Sequence, residues 1–266
     1  MENINFLKNF KAGLQFSPKD DRNLMFGAYI KEDLPVLPSC DNLAKIYQKF
    51  PNQTLQSIFQ MLGNDQFGDC TFAGLAHLVS TFKGLAGELY IPKEEDVIKY
   101  YFEQTNGQDS GCCELDVLKA WQKKKWFNDE DIAFVSIDPR NHDHIKQAIA
   151  LFGGVYLGIN LPVSAEDDFQ ANRTWDCGIL SGGGHCVVSC KYDEKTINIL
   201  TWGDQIDATW NFVDCAVMEV WAVISLEAEK ISGFKLADLR RDLIKVGKTP
   251  VVEDINYITG HTQTII

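Results

Sequence analysis

The chain has 266 residues, 45% of them apolar and 11% aromatic, and its 37 acidic against 25 basic side chains give a formal net charge of −12. Such a composition can bury a large core and excludes a disordered chain. The acidic balance argues against nucleic acid or an anionic membrane as partners held by bulk charge. The length suits one large domain or two small ones. The eight cysteines are open to three readings at this point: disulfides, a metal site, or thiols with a nucleophile among them.

The N-terminal run MENINFLKNFKAGLQF has neither the unbroken apolar core nor the small-residue cleavage site of a signal peptide. No apolar stretch reaches the ~18–20 residues that span a bilayer. A cytoplasmic chain with reduced thiols is therefore expected. Residues 1–60 read as an N-terminal arm, extended at first because Pro18, Pro35 and Pro38 forbid a long helix. Asp41 opens a short helix, NLAKIYQKF, that stops before Pro51. After the turn-rich GNDQFGD comes a helix beginning at Cys70, with Phe72, Leu75, Ala76, Val79 and Phe82 at helical spacing; Ala73 and Gly74 leave room for close neighbours, so it is central and buried. EEDVIKYYFEQT, ELDVLKAWQKKK and HDHIKQAIALF follow as helices, the last ended by Gly153-Gly154. Strands come next in VYLGINL, HCVVSCKY, TINILTW and MEVWAVISL, with a hairpin turn at Asp193-Glu194-Lys195. KLADLRRDLIKV is a last amphipathic helix. Helices before strands give an α+β pattern rather than alternating βαβ units.

Cys70 follows a glycine-containing turn and starts a helix, where the helix dipole favours thiolate, although the neighbouring carboxylate of Asp69 opposes it. His185 follows three glycines at the start of an apolar strand, and the next strand ends in Leu200-Thr201-Trp202-Gly203. A cysteine at a helix start, a histidine on a later strand and an orienting residue on the strand beside it are the parts of a thiol nucleophile system. His77 lies two helical turns beyond Cys70, ~10 Å away, and reads as structural. His142 and His144 flank Asp143 at a solvated helix start. The pair Cys186 and Cys190 lies within a strand rather than a turn, and no second paired unit exists for a zinc site. No metal or cofactor is expected, and the seven cysteines other than Cys70 read as packing thiols.

These residues resemble the papain-like cysteine peptidase superfamily over about residues 60–225. Gly68 and Cys70 match the segment around its nucleophile. Asn64 stands where the family has the glutamine of its oxyanion hole, with Gln66 close behind. Gly111-Cys112-Cys113 looks like the family's Gly-Cys-x-Gly-Gly segment without its last glycines. Gly184-His185 looks like its histidine strand, and Thr201-Trp202-Gly203 like its Asn-Ser-Trp-Gly. Anchored on Trp202, the orienting asparagine becomes Leu200, which cannot hold an imidazole; Thr201, Asn198 or Asp204 serves only if the register slips. The cysteine of the family's disulfide near the nucleophile is replaced by Phe67. More narrowly, Gly63-Asn64-Asp65, Gly68-Asp69-Cys70, Ser136, Asp138-Pro139 and Phe152-Gly153-Gly154 resemble a group of bacterial and phage proteins without an assigned activity.

The resemblance implies a papain-like α+β fold. A helical half over 61–153 places Cys70 at the start of a central helix, an antiparallel β half over 154–226 carries His185, and 227–266 form a C-terminal helix and tail. It implies a thiol hydrolase cleaving peptide or isopeptide bonds of a peptide or protein substrate. Cys70 is the nucleophile, His185 the base, Asn64 or Gln66 the oxyanion amide and Thr201 the orienting group. Gly68, Asp69, Cys113, Gly184 and Trp202 line the substrate cleft, with Trp202 shielding the histidine. The rival reading is a catalytically degenerate scaffold of a bacteriophage virion, whose arm wraps a neighbouring virion protein.

Overall fold

The computed structural model describes residues 7–19, 23–31, 34–128, 132–225, 235, 237–239 and 241–242. In chain order the elements are β1 (Leu14–Gln15), β2 (Cys40–Asp41), α1 (Asn42–Lys49), α2 (Leu55–Ile58), α3 (Cys70–Ala86), α4 (Glu94–Gln104), β3 (Cys112–Cys113) and α5 (Glu114–Lys124). They continue with β4 (Ile132–Ile137), α6 (His142–Phe152), β5 (Val155–Pro162), α7 (Ala165–Gln170), β6 (Leu180–Ser189), β7 (Lys191–Tyr192), β8 (Thr196–Thr201), β9 (Asp204–Thr209), α8 (Trp210–Ala216) and β10 (Val217–Ser225). Among the described residues no helix is long and apolar enough to cross a membrane.

The long strands form an antiparallel sheet in the order β2-β7-β8-β6-β5-β10-β4, with β9 paired to β8. Two hydrophobic clusters flank it. One gathers α3, α5 and the aromatic residues Phe72, Tyr101, Trp121 and Trp126. The other gathers α6, α8, Trp175 and Trp202. Helices collected against one part of a curled antiparallel sheet are the papain-like α+β arrangement that the element order implies.

Helix α3 is the axis of the first cluster and is buried on nearly all sides, from Cys70 through Thr81. Its polar side chains therefore turn back on the helix: Ser80 and Thr81 donate to the carbonyls of Ala76 and His77. The His77 ring bonds the Gln60 carbonyl, and burial lowers its pKa to about 4, so it is a neutral packing residue as its distance from Cys70 implied. Gly74 is where α3 meets the sheet. A Cβ there would stand 2.8 Å from Tyr156 Cε2 and 3.2 Å from Cys186 Sγ.

Several local expectations hold. Asp41 caps α1 through the Ala44 N–H, Gly153 ends α6 at φ 92°, and the Asp193 carboxylate gathers the Lys195 and Thr196 N–H groups in the turn. Others need correction. Asp69 stands at the N-cap of α3, where a carboxylate ordinarily caps, yet its side chain makes no cap bond. HCVVSCKY is not one strand but the end of β6 followed by β7, broken at Cys190. Strands β4 and β9 and helices α2, α7 and α8 carry too short or too mixed a pattern to be read from the sequence. Cys177 and Cys215 are not packing thiols: they form a disulfide with a Cα–Cα distance of 5.9 Å, while Cys40, Cys70, Cys112, Cys113, Cys186 and Cys190 are free. Cys177 sits in an exposed loop that Asp176 ties to Thr209 and Asn211, which brings it against α8. The C-terminal helix is present over 237–239 and 241–242, and the rest of that segment lies outside the described residues.

The Gly74→Ala substitution should destabilise the protein by about 1–3 kcal/mol, the cost of forcing a methyl into a filled helix–sheet contact. A lowered midpoint of chemical unfolding with an unchanged slope checks this; wild-type stability would refute it.

Candidate functional site

The site lies where α3 begins and where β6 and β8 run beside it. Cys70 is 1% exposed, and its sulfur accepts the backbone N–H of Cys186 at 3.4 Å. The residue before Cys186 is His185, fully buried on β6. Its Nε2 bonds Thr201 Oγ1 at 2.7 Å, so Thr201 holds the imidazole and Leu200, paired with Val188, belongs to the core. His185 Nδ1 has no hydrogen-bond partner among the described residues. Within this closed arrangement thiol and imidazole do not hydrogen-bond each other.

Trp202 and Gly203 form the two-residue turn between β8 and β9, with φ of 48° and 73°. Positive φ at both central residues fits a turn whose twist matches a hairpin. A tryptophan in that region is strained. What it gains is position: its ring stacks on His185 at 4.8 Å, over the bond to Thr201.

The arm closes the site. Phe10 stacks on Trp202 at 4.6 Å and the Trp202 Nε1 donates to the Lys11 carbonyl. Lys11 N–H in turn donates to the Asn64 carbonyl. Strand β1 then lies in the cleft, Leu14 pairing with Cys112 on one side and Gly184 on the other. The contact is backbone on backbone: a Cβ on Gly13 would fall 2.0 Å from the Gly68 oxygen, one on Gly111 1.9 Å from the Gly13 oxygen, and one on Gly184 2.3 Å from the Leu14 oxygen. Carboxylates hold the arm at both ends. Glu166 accepts the N–H groups of Lys8 and Asn9, and Glu219 accepts that of Ser17. The segment expected to wrap a neighbouring molecule is thus seated, over residues 7–17, on its own chain.

Of the expected site residues, His185, Thr201 and Trp202 come together, and Cys70 meets the same strand one residue on, at the Cys186 N–H. Gly68, Gly184 and Cys113, whose thiol donates to Ser17 Oγ, line the channel that the arm fills. Asn64 is buried, but its amide donates to the Phe67 carbonyl and steadies the turn before Cys70. Gln66 is exposed. Asp69 lies beneath the cleft, wholly buried, with no well-formed hydrogen bond to its carboxyl. The sequence reading missed Tyr101 and Asp109. Asp109 accepts the Gly68 N–H and the Tyr101 hydroxyl, and that hydroxyl accepts the Gly111 N–H, so the two residues fix both walls of the channel. It also missed Glu114, Glu166 and Glu219. Each is an acidic residue in an ordinary helix or strand pattern, with no local signal of its role.

The electrostatics follow from closure. Burial pushes the Cys70 thiol up to about 12; the N–H groups of Cys186 and Gly13 work against this, and Asp69 and Glu114 add to it. Burial lowers His185 to about 3 and raises Asp69 to about 8. Beneath the docked arm the pair is therefore a neutral thiol and a neutral imidazole.

No protein-family model and no curated protein matches this sequence. Solved structures do match in fold. Xylellain, a cysteine protease from Xylella fastidiosa, superposes with a TM-score of 0.61 at 14% identity, over 82% of this chain and 97% of that one. The recombinant precursor of stem bromelain superposes at 0.54 with 12% identity, over 84% and 80%. Digestive procathepsin L 3 of Tenebrio molitor superposes at 0.50 with 11% identity, over 81% and 77%. The chain has the papain-like cysteine protease fold.

Two outcomes are expected. The Gly13→Ala substitution should loosen the arm and raise the rate of Cys70 alkylation by at least about tenfold, since the added methyl has no room beside Gly68; an unchanged rate would show that the arm does not seal the thiol. Second, the folded protein keeps the Asp69 proton between about pH 4 and pH 8 while the unfolded chain releases it, so this group costs stability as pH rises through that window. Urea unfolding at pH 5 and pH 8 should show a smaller pH-dependent loss in Asp69→Asn than in wild type. His185 acts with the opposite sign at acid pH, its contribution being lost as pH falls from about 6.5 to 3.

Proposed function

We propose that the chain is a thiol hydrolase of peptide or isopeptide bonds, with Cys70 as nucleophile and His185 as its base, held latent beneath its own arm. The observation that carries this reading is the Thr201–His185 bond under the Trp202 ring, on the strand whose Cys186 N–H meets the Cys70 sulfur. The core histidine His77 also has a partner, the Gln60 carbonyl; what sets His185 apart is the strained tryptophan stacked on its ring and an Nδ1 without a partner among the described residues. The papain-like fold supports the reading.

Opening the channel readmits water and removes the burial that keeps both groups neutral. His185 Nδ1, the nitrogen left without a partner, then takes the Cys70 proton while Nε2 stays on Thr201. The thiolate attacks the carbonyl carbon of the scissile bond. The developing oxyanion faces the Cys70 N–H at the open end of α3, where helix donors lack intrahelical acceptors. Asn64 joins only by giving up the Phe67 carbonyl. Collapse of the adduct breaks the C–N bond, and the imidazolium returns its proton to the leaving amine. Water, deprotonated by His185, hydrolyses the thioester and restores the thiol.

The test is an electrophilic thiol probe at neutral pH on the full-length Gly13→Ala protein. Labelling confined to Cys70, and slowed at least about tenfold by His185→Ala, supports an activated nucleophile. Labelling spread over several cysteines, or indifferent to His185, overturns it in favour of a scaffold. Thr201→Val should leave the fold intact and lower the labelling rate by disorienting the ring, with Thr201→Ser restoring it.

A further inference from the structure

Leu14 occupies a side pocket of the channel whose chemistry does not match its present occupant. We infer that this pocket is built for a basic side chain, with Glu219 as the residue that selects it. This inference rests on the hydrolase reading for its meaning in catalysis, though the pocket's charge preference does not.

Leu14 is 7% exposed and sits between Cys112 and Gly184, so any extended chain pairing in the channel puts a side chain at the same place. The room beneath it exists because residue 158 is glycine. A Cβ there would lie 3.0 Å from Leu14 Cδ2 and 2.5 Å from Glu219 Cγ, so leucine and glutamate share the face that Gly158 leaves open. Glu219 reaches this place from β10, paired with Gly158 on β5. Its Oε2 is oriented by the Trp221 indole N–H at 3.1 Å. Its Oε1 is held only by the arm, through the Ser17 N–H at 3.0 Å. Among the described residues Glu219 makes no ion pair.

The second carboxyl sharpens the charge. Glu114, wholly buried at the start of α5, has no hydrogen-bond partner for either oxygen. Burial first and the Glu219 charge second drive it to the neutral form. Glu114 is therefore held neutral beneath Glu219, the carboxyl nearer the occupant. When the arm leaves, Oε1 loses its donor and faces the vacated pocket. A lysine or arginine side chain from an incoming peptide replaces both the apolar contact, with its methylene stem, and the lost donor, with its charged end. A glutamate side chain meets like charge in a water-poor site and is rejected.

The arm itself reports on the pocket, in the full-length protein and without turnover. Leu14→Gln, Leu14→Glu and Leu14→Lys change the charge at similar length, and the rate of Cys70 alkylation reads how firmly each arm docks. The expected order is Glu fastest, Gln intermediate and Lys slowest, with about tenfold or more between Glu and Lys. In a Glu219→Gln background that span should shrink to about threefold or less. Equal rates for Glu and Lys, or an order untouched by Glu219→Gln, overturns the inference; melting curves for each variant separate arm release from loss of fold. Peptides with arginine, leucine or glutamate at the matching position, given to Leu14→Glu, then test the two readings apart. Cleavage preferring arginine supports both, and cleavage indifferent to that position overturns the pocket assignment. No cleavage of any peptide, with the alkylation order as expected, defeats the hydrolase reading and leaves the pocket's preference standing.

Discussion

The feature on which the rest depends is a seam of backbone against backbone. Gly13 crosses between Gly68 and Gly111, and Leu14 crosses Gly184, at separations that no side chain beyond hydrogen allows. These are glycines of close approach rather than of flexibility. Their contact lets an eleven-residue stretch, 7–17, lie flush in the channel, over a Cys70 that is 1% exposed. From that closure follow the raised thiol, the lowered imidazole and the neutral state of the pair. The arm is also a working part of the packing: Phe10 covers Trp202, and Trp202 covers His185.

The orientation of His185 has a clear division of labour. Thr201 supplies the hydrogen bond, and Trp202 supplies the roof. A hydroxyl both donates and accepts, whereas an amide oxygen only accepts, so Thr201 can bond Nε2 in either protonation state. The strained turn at Trp202-Gly203 is the local cost of setting hydroxyl and indole on consecutive residues yet both against one ring.

Much of this was legible beforehand, for identifiable reasons. Cys70, His185, Thr201 and Trp202 stand in short local patterns: a helix start, a glycine run before an apolar strand, a strand end before a tight turn. Helices α1, α3, α4, α5 and α6 announce themselves through spacing, caps and terminal glycines. The Cys177–Cys215 bridge had no local sign, because its geometry depends on a loop that Asp176 folds onto α8. Glu166 and Glu219 act on arm residues 157 to 202 positions away and Asp109 on Gly68, 41 positions away, which no window on the sequence contains.

The pairing of Leu14 with Gly184 has a temporal side. A ribosome delivers the arm before the histidine strand, some ten or more seconds earlier at ordinary rates. The channel therefore never exists in a nascent molecule before its occupant has been made, and the occupant is tethered to it from the start. Any rival peptide competes against a local concentration set by the tether, of millimolar order or above. Occupation of the channel needs no second protein to impose it; it is built in by the order of synthesis.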